Sequence, residues 1–111
     1  MSGPKAATRG VSVTLQDEKA TGNGIPVAIP PAFVNHRVNI RGGAGVASGA
    51  ITIESAEEYD YAGTWNPVTT AITVVADKEI EFHFTGVYKF IRTRISTTIG
   101  SGLVSTFYQG Y

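Results

Sequence analysis

The sequence predicts an all-β protein with a single domain, an antiparallel β-sandwich or a jelly-roll-like barrel of about eight or nine strands. Short segments in which apolar and polar residues alternate recur along the chain, and Gly-rich turns separate them. No long segment combines a helical period with helix caps and a glycine stop. The 111 residues, 42% of them hydrophobic, are enough to fill one core, so residues 10–111 are expected to form one domain.

Residues 1–9 are expected to form a flexible N-terminal arm. They contain Gly3, Pro4 and the basic residues Lys5 and Arg9, and they show no periodic hydrophobicity. Such an arm can still contact a partner, so Lys5 and Arg9 are candidates for a protein interface.

The first half of the domain has the pattern of four strands. Residues 17–24 between the first two strands are expected to form a turn, because Asn23 and two glycines tolerate a positive φ. Residues 42–49 are interpreted as a hairpin loop, since they lack the Lys-Ser or Lys-Thr end and the following helix of a phosphate-binding loop. The four predicted strands are residues 10–16, 25–29, 35–41 and 50–55.

The second half has the pattern of five further strands. The clearest alternation lies in residues 79–85, with Ile80, Phe82 and Phe84 facing inward and His83 facing outward. His36, in the earlier strand over residues 35–41, is also expected to face outward. Tight turns are predicted at residues 77–78 and 100–102. The five predicted strands are residues 65–70, 71–75, 79–85, 88–96 and 103–111.

Composition excludes several classes of function. The absence of cysteine rules out disulfides, thiolate nucleophiles and cysteine-ligated metal sites. Basic and acidic residues are nine each, and this zero net charge argues against general nucleic-acid binding. The N-terminal residues lack the apolar stretch of a signal peptide, and no apolar run is long enough to span a membrane. A soluble protein without a specific nucleic-acid or membrane partner is therefore expected.

Charge is distributed in blocks along the chain. Residues 1–50 carry a net charge of +3, residues 51–86 carry −6, and residues 87–111 carry +3. If the fold separated these blocks in space, copies of the chain would attract one another head to tail. The alternative is ordinary surface charge.

No enzyme, metal ion or cofactor is expected. His36 and His83 are far apart in the chain and no other ligand lies near them at metal-binding spacing. The acidic segments lack the alternating oxygen ligands of a calcium loop. Glycosidase chemistry needs two carboxylates across a cleft, and such a cleft cannot be inferred in so short a chain. The serines lack the motif of a nucleophile elbow.

The segment after the predicted strand 50–55 combines acidic and aromatic residues. Tyr59, Tyr61 and Trp65 could stack on sugar rings or anchor a protein interface. For Trp65 the favoured alternative is a packing role, because a small sandwich with one tryptophan usually buries most of it. Protein contact is the favoured role of the loop tip, although glycan contact stays open. Its candidate interface residues are Glu57, Glu58, Tyr59, Asp60 and Tyr61.

Three segments in this order carry a resemblance: ATGNGIPVAIP, then HRVNIRGGAGVASGAITIESAEEYDYAGTW, then FTGVYKFIRTRISTTIGSGLVSTFYQG. With its strand ending in Glu-Ser, its Gly-Thr-Trp turn and its later Gly-Tyr-aromatic-Ile-Arg strand, the chain resembles small β-sandwich structural proteins of tailed bacteriophages over about residues 20–110. The commonest form of the pattern has Asp-Gly before the tryptophan, where residues 59–64 stand here.

The resemblance implies a non-enzymatic virion protein, most naturally a head decoration or cement subunit. Such a subunit would be made in the host cytoplasm and would bind the major capsid protein lattice on the outer capsid surface. It would also contact copies of itself in a homo-oligomer such as a trimer. The alternatives are a tail or baseplate structural module and a carbohydrate-binding module.

Overall fold

The computed structural model describes residues 5–111 of the chain. This part contains eleven β-strands, no helix, and therefore nothing helical that could cross a membrane. The strands are β1 Lys5–Ala6, β2 Val13–Lys19, β3 Gly22–Asn23, β4 Val27–Ala28, β5 Asn35–Gly42, β6 Ser48–Ala56, β7 Asn66–Pro67, β8 Ile72–Thr73, β9 Glu79–Thr85, β10 Phe90–Gly100 and β11 Val104–Gly110.

The strands form two sheets, which confirms the predicted β-sandwich. Sheet A has the order β1-β4-β10-β6-β7, with β3 also paired to β10 and β8 also paired to β6. Sheet B has the order β2-β11-β5-β9. All the pairs are antiparallel except the short parallel pair of β1 with β4.

The core lies between the two sheets and is built from alternate residues of the long strands. Each large aliphatic side chain that is fully buried stabilises the fold by roughly 1.5–3 kcal/mol. A polar link crosses this core, because the hydroxyl of Thr93 on β10 lies 2.7 Å from that of Thr106 on β11. The central buried side chains are Leu15, Val38, Ile40 and Tyr108 from sheet B and Ile51, Ile53, Ile91 and Ile95 from sheet A.

The connection between β5 and β6 is not the predicted hairpin. β5 belongs to sheet B and β6 to sheet A, so residues 43–47 cross from one sheet to the other. The connections from β9 to β10 and from β10 to β11 also cross from one sheet to the other. Glycine content indicates where a chain turns, but it carries no information on which sheet receives the next strand, and this is why the hairpin prediction was wrong.

Five of the eleven strands in the described part are only two residues long, and two of these, β1 and β3, had no counterpart among the predicted strands. Residues 65–70 were expected to form one strand, yet only Asn66–Pro67 pairs with β6. In the predicted turn over residues 17–24, β2 continues to Lys19, and Gly22–Asn23 pairs with β10. Tertiary pairing has overridden the local turn signal in that segment.

The described part of the predicted arm is docked on the sandwich. Lys5–Ala6 pairs with Val27–Ala28 in β4, and the amide of Ala7 donates to the carbonyl of Ala28 at 2.8 Å. Ala7 is buried, and the amide of Gly10 donates to the carbonyl of Gly110. Residues 5–9 therefore do not form the expected flexible arm, because a free edge of sheet A offers them backbone partners. Residues 1–4 lie outside the described part.

His36 faces the core, contrary to the prediction that it faces outward. It is 2% exposed and stacks on Phe84 with the ring centroids 5.0 Å apart. Its Nε2 lies 2.8 Å from the carbonyl oxygen of Gly86, which can only accept, so Nε2 carries the proton. Nδ1 then accepts from the hydroxyl of Tyr108 at 2.6 Å. Burial lowers the pKa of His36, while the bond to Gly86 acts in the opposite direction.

Because the buried His36 is neutral, we expect the free energy of unfolding to fall in mild acid. The unfolded chain binds a proton near pH 6.5, and the folded chain binds it only at lower pH because the pKa of His36 is depressed. With respect to this group, the free energy of unfolding is therefore at its maximum above about pH 6.5. At lower pH it decreases by at most about 1.4 kcal/mol per pH unit. Urea unfolding from about pH 7 to about pH 5 measures this slope.

The matched variants are His36→Phe and His83→Asn, since His83 lies exposed on the outer face of β9. We expect His36→Phe to reduce the pH slope and His83→Asn to keep it. A slope that survives His36→Phe but disappears in His83→Asn would contradict the assignment.

Candidate functional site

The outer face of sheet A carries a buried carboxylate between two arginines. Glu54 on β6 is only 3% exposed. Its Oε1 accepts from Nε of Arg92 at 2.9 Å, and its Oε2 accepts from Nε of Arg94 at 3.0 Å. Both carboxylate oxygens are therefore bonded to a guanidinium, which offsets the cost of removing this charge from water.

Strand alternation explains why these three side chains meet. Ile53 faces the core, so its neighbour Glu54 faces outward, and on β10 the buried Thr93 separates the outward Arg92 and Arg94. In the β6–β10 register Arg92 lies directly opposite Glu54. Opposite charges in that position on one face of a sheet stabilise the pairing of the two strands.

Trp65 covers this ion cluster. It is 2% exposed, its Nε1 donates to the carbonyl of Tyr61 at 2.9 Å, and the guanidinium carbon of Arg92 lies 4.1 Å from the ring centroid. This geometry is a cation–π contact. The preference for a packing role of Trp65 is confirmed. Tyr59, Tyr61 and Trp65 do not form an exposed aromatic platform, because Trp65 is buried.

An open cleft of about 530 Å³ lies beside the cluster, between the loop that carries Trp65 and the strands of sheet A. The charged groups along it are two guanidiniums and one carboxylate, so it is net positive. Tyr61 also lines a smaller cleft of about 280 Å³, which contains Glu57 and Glu58. The larger cleft is lined by Asn23, Glu54, Tyr61, Ala62, Gly63, Thr64, Trp65, Pro67, Arg92 and Arg94.

The acidic loop, residues 57–61, follows β6 and contains the five interface candidates of this segment. Glu57, Glu58 and Asp60 are exposed, and Glu57 forms an exposed ion pair with Lys89 at 3.3 Å. Tyr61 is 48% exposed. Tyr59 is half-buried, with its ring centroid 6.2 Å from that of Phe90 on β10. The loop tip thus presents carboxylates and one largely accessible ring.

The two basic candidates lie apart from this loop. Lys5 is in β1, at the edge of sheet A, and β4 and β10 stand between β1 and β6. Arg9 is exposed, and its guanidinium carbon lies 5.5 Å from the ring centroid of Phe33. The structure therefore does not combine the basic and acidic candidates into one surface.

The three charge blocks of the sequence are largely paired within the molecule. The basic strand β5 lies beside the acidic strand β9, and the basic strand β10 lies beside β6. Ordinary surface and inter-strand pairing therefore describes most of these charges better than segregated patches. The cross-block pairs are Arg37 with Glu81, Arg41 with Glu79, Arg92 and Arg94 with Glu54, and Lys89 with Glu57.

Glu54, Arg92 and Arg94 were not predicted to form a site. The available signal was their position on the outer faces of two well-predicted strands, but the pairing of those strands was not deducible. Among the described residues, no group of three or more histidine, aspartate or glutamate side chains is placed to hold a metal ion.

Comparisons with known proteins show a similarity of fold. No family model matches the chain, and no curated protein matches its sequence. Among solved structures it is similar to the SPBc2 prophage-derived protein YomS, with a TM-score of 0.64 and 12% identity over 91% of this chain and 92% of that one. It is also similar to the CBM22-1 xylan-binding domain of Paenibacillus barcinonensis Xyn10C, with a TM-score of 0.50 and 10% identity over 97% of both chains. At these identities the likeness establishes a shared fold over nearly the full length.

Proposed function

We propose that this protein is a non-enzymatic bacteriophage virion component, a capsid decoration or cement subunit that binds and stabilises the major capsid protein lattice. The observation that carries the proposal is the likeness of fold to a prophage-derived protein over more than nine tenths of both chains. The sequence resemblance over about residues 20–110 points to the same class of protein. The subunit would be made in the host cytoplasm and would occupy the outer capsid surface.

The acidic loop supplies the surface through which this subunit would contact the capsid protein. Glu58 and Asp60 are exposed and take no part in the ion pairs of the described side chains, while Tyr61 offers an accessible amphipathic ring. Contacts of this kind are individually weak. Repeated over a lattice, and combined with contacts between copies of the chain in a small symmetric oligomer, they add up to firm attachment.

Binding of the purified protein to capsids that lack it tests the proposal. We expect Glu58→Lys to weaken binding by about tenfold, because it reverses a charge in the contact surface. The matched control is Asp17→Lys, which reverses an exposed charge on β2, away from the loop, and should leave binding unchanged. Capsids that bind no wild-type protein would refute the decoration role, and capsids that bind both variants equally would refute the contact role of the acidic loop.

A tail or baseplate module is the alternative within the virion. The two roles differ in the number of copies per particle, which quantitative mass spectrometry of intact particles measures against the major capsid protein. A decoration subunit is expected at a copy number comparable to that of the capsid protein. A copy number far below it would favour the tail or baseplate role.

A further inference from the structure

We propose that the larger cleft on the outer face of sheet A, hereafter the Arg94 cleft, binds an acidic oligosaccharide. In the bound state, Arg94 would hold the carboxylate of one sugar ring and Tyr61 would contact the apolar face of a ring. This inference stands independently of the virion role, since it rests on the cleft alone.

The dimensions of the Arg94 cleft suit a ligand of this kind. Its volume of about 530 Å³ falls within the usual range of ligand sites, roughly 300–1,000 Å³. It is open to solvent, which admits part of a chain as well as a small molecule. Asn23 and Thr64 contribute an amide and a hydroxyl to its lining, which are suitable partners for sugar hydroxyls.

The charge of the cleft selects an acidic ligand. Both oxygens of Glu54 accept from the Nε atoms of Arg92 and Arg94, so this carboxylate neutralises only one of the two positive charges. The Arg94 side chain is 42% exposed, and its bond to Glu54 uses Nε, which keeps its terminal nitrogens as donors. A guanidinium presents two such donors in a geometry that matches a carboxylate.

The arginines are held in place before any ligand arrives. Arg92 is fixed between Glu54 and the ring of Trp65, with only 14% of its side chain exposed. Glu54 in turn fixes the position of Nε of Arg94. A donor that is already oriented loses little side-chain entropy on binding, which favours affinity in a shallow site.

Tyr61 and the adjoining acidic cleft distinguish a sugar chain from other acidic ligands. The Tyr61 ring is 48% exposed and lines both clefts, so a flat ring can lie against it. In the adjoining cleft, Glu57 is paired with Lys89, but Glu58 takes no part in the ion pairs of the described side chains and would repel a second carboxylate. The favoured ligand therefore carries a carboxylate on one ring and neutral hydroxyls on the next, as in chains that alternate a uronic acid with a neutral sugar.

Isothermal titration calorimetry with a tetrasaccharide that alternates glucuronate and a neutral sugar tests the proposal. We expect the wild-type protein to bind it, and Arg94→Gln to weaken binding by at least about tenfold through loss of a charge-assisted contact. Tyr61→Ala, a change at an exposed residue, should weaken binding as well. The control is Arg41→Gln, which removes an exposed, ion-paired arginine from the outer face of sheet B and should leave the affinity unchanged.

Two further probes complete the test. The methyl ester of the same tetrasaccharide lacks the negative charge and should bind at least about tenfold more weakly. A glutamate-containing peptide of similar length should not bind measurably. The proposal is overturned by absence of tetrasaccharide binding, by equal binding of the ester, by wild-type affinity in a folded Arg94→Gln or Tyr61→Ala variant, or by a peptide that binds as tightly as the sugar.

Discussion

Glu54→Ala is expected to lower the free energy of unfolding by about 3 kcal/mol, because it leaves a buried guanidinium without its counter-ion. Arg92 would bear most of this cost. Its side chain is 14% exposed and lies against Trp65, so it cannot turn fully into water when the carboxylate is removed. Arg94 is 42% exposed and can regain water, so its lost bond adds little.

Urea unfolding at neutral pH measures the effect, and Glu79→Ala is the matched control. Glu79 also pairs with an arginine on the neighbouring strand, at 2.9 Å, but the Arg41 and Glu79 side chains are 60% and 37% exposed. Removal of such a pair is expected to cost less than about 1 kcal/mol. Equal losses in the two variants would show that burial of the Glu54 cluster has no energetic consequence.

A double variant separates the charge from the packing. Replacing both Glu54 and Arg92 with leucine removes the buried pair and restores apolar volume, so it is expected to be more stable than Glu54→Ala. If the double variant were the less stable of the two, the loss in Glu54→Ala would lie in packing and not in the unpaired charge.

Local periodicity was sufficient to predict the long strands and the faces of the best ones. In β9 the inward Ile80, Phe82 and Phe84 were identified because alternation is a property of a few consecutive residues. Alternation in β10 likewise puts Arg92 and Arg94 on the face opposite to the buried Ile91, although it did not indicate which of the two faces is the outer one. These predictions needed no knowledge of the partner strand.

The prediction that His36 faces outward was wrong because the polarity of the side chain was given more weight than its position in the alternation of the strand. In β5 it lies on the same face of the strand as Val38 and Ile40, two and four residues further on, both of which are fully buried. The pattern therefore already indicated an inward side chain. What the sequence does not contain is the pair of hydrogen bonds, to Tyr108 and to Gly86, that makes burial of the ring tolerable.

The candidate site depended on long-range pairing and was for that reason only partly predictable. The acidic loop was recognised from composition, and Trp65 was expected to pack. The cluster of Glu54 with Arg92 joins residues 38 apart in the chain, through a strand pair that no local signal specifies. The cleft beside it exists only because the loop folds back over that pair.

Gly42→Ala is expected to destabilise the protein by about 3 kcal/mol, the upper part of the range for overpacked sites. Gly42 ends β5, is buried, and donates its amide to the carbonyl of Lys78 at 2.9 Å. A methyl group there would collide with the carbonyl of Val75, which is backbone and cannot rotate away as a side-chain terminus can. The segment after β8 would have to move away from sheet B.

Gly10→Ala is the matched control, because it separates this collision from the backbone strain of replacing a glycine. Gly10 has a φ of 71°, and a Cβ there would meet open space, so its cost is about 1 kcal/mol of left-handed strain. Thermal and urea unfolding of both variants should rank Gly42→Ala as clearly the less stable. Equal stability would mean that the segment around Val75 yields easily and does not constrain the end of β5. The larger loss in Gly42→Ala would instead show that this glycine allows two backbone segments to approach where the chain leaves sheet B for sheet A.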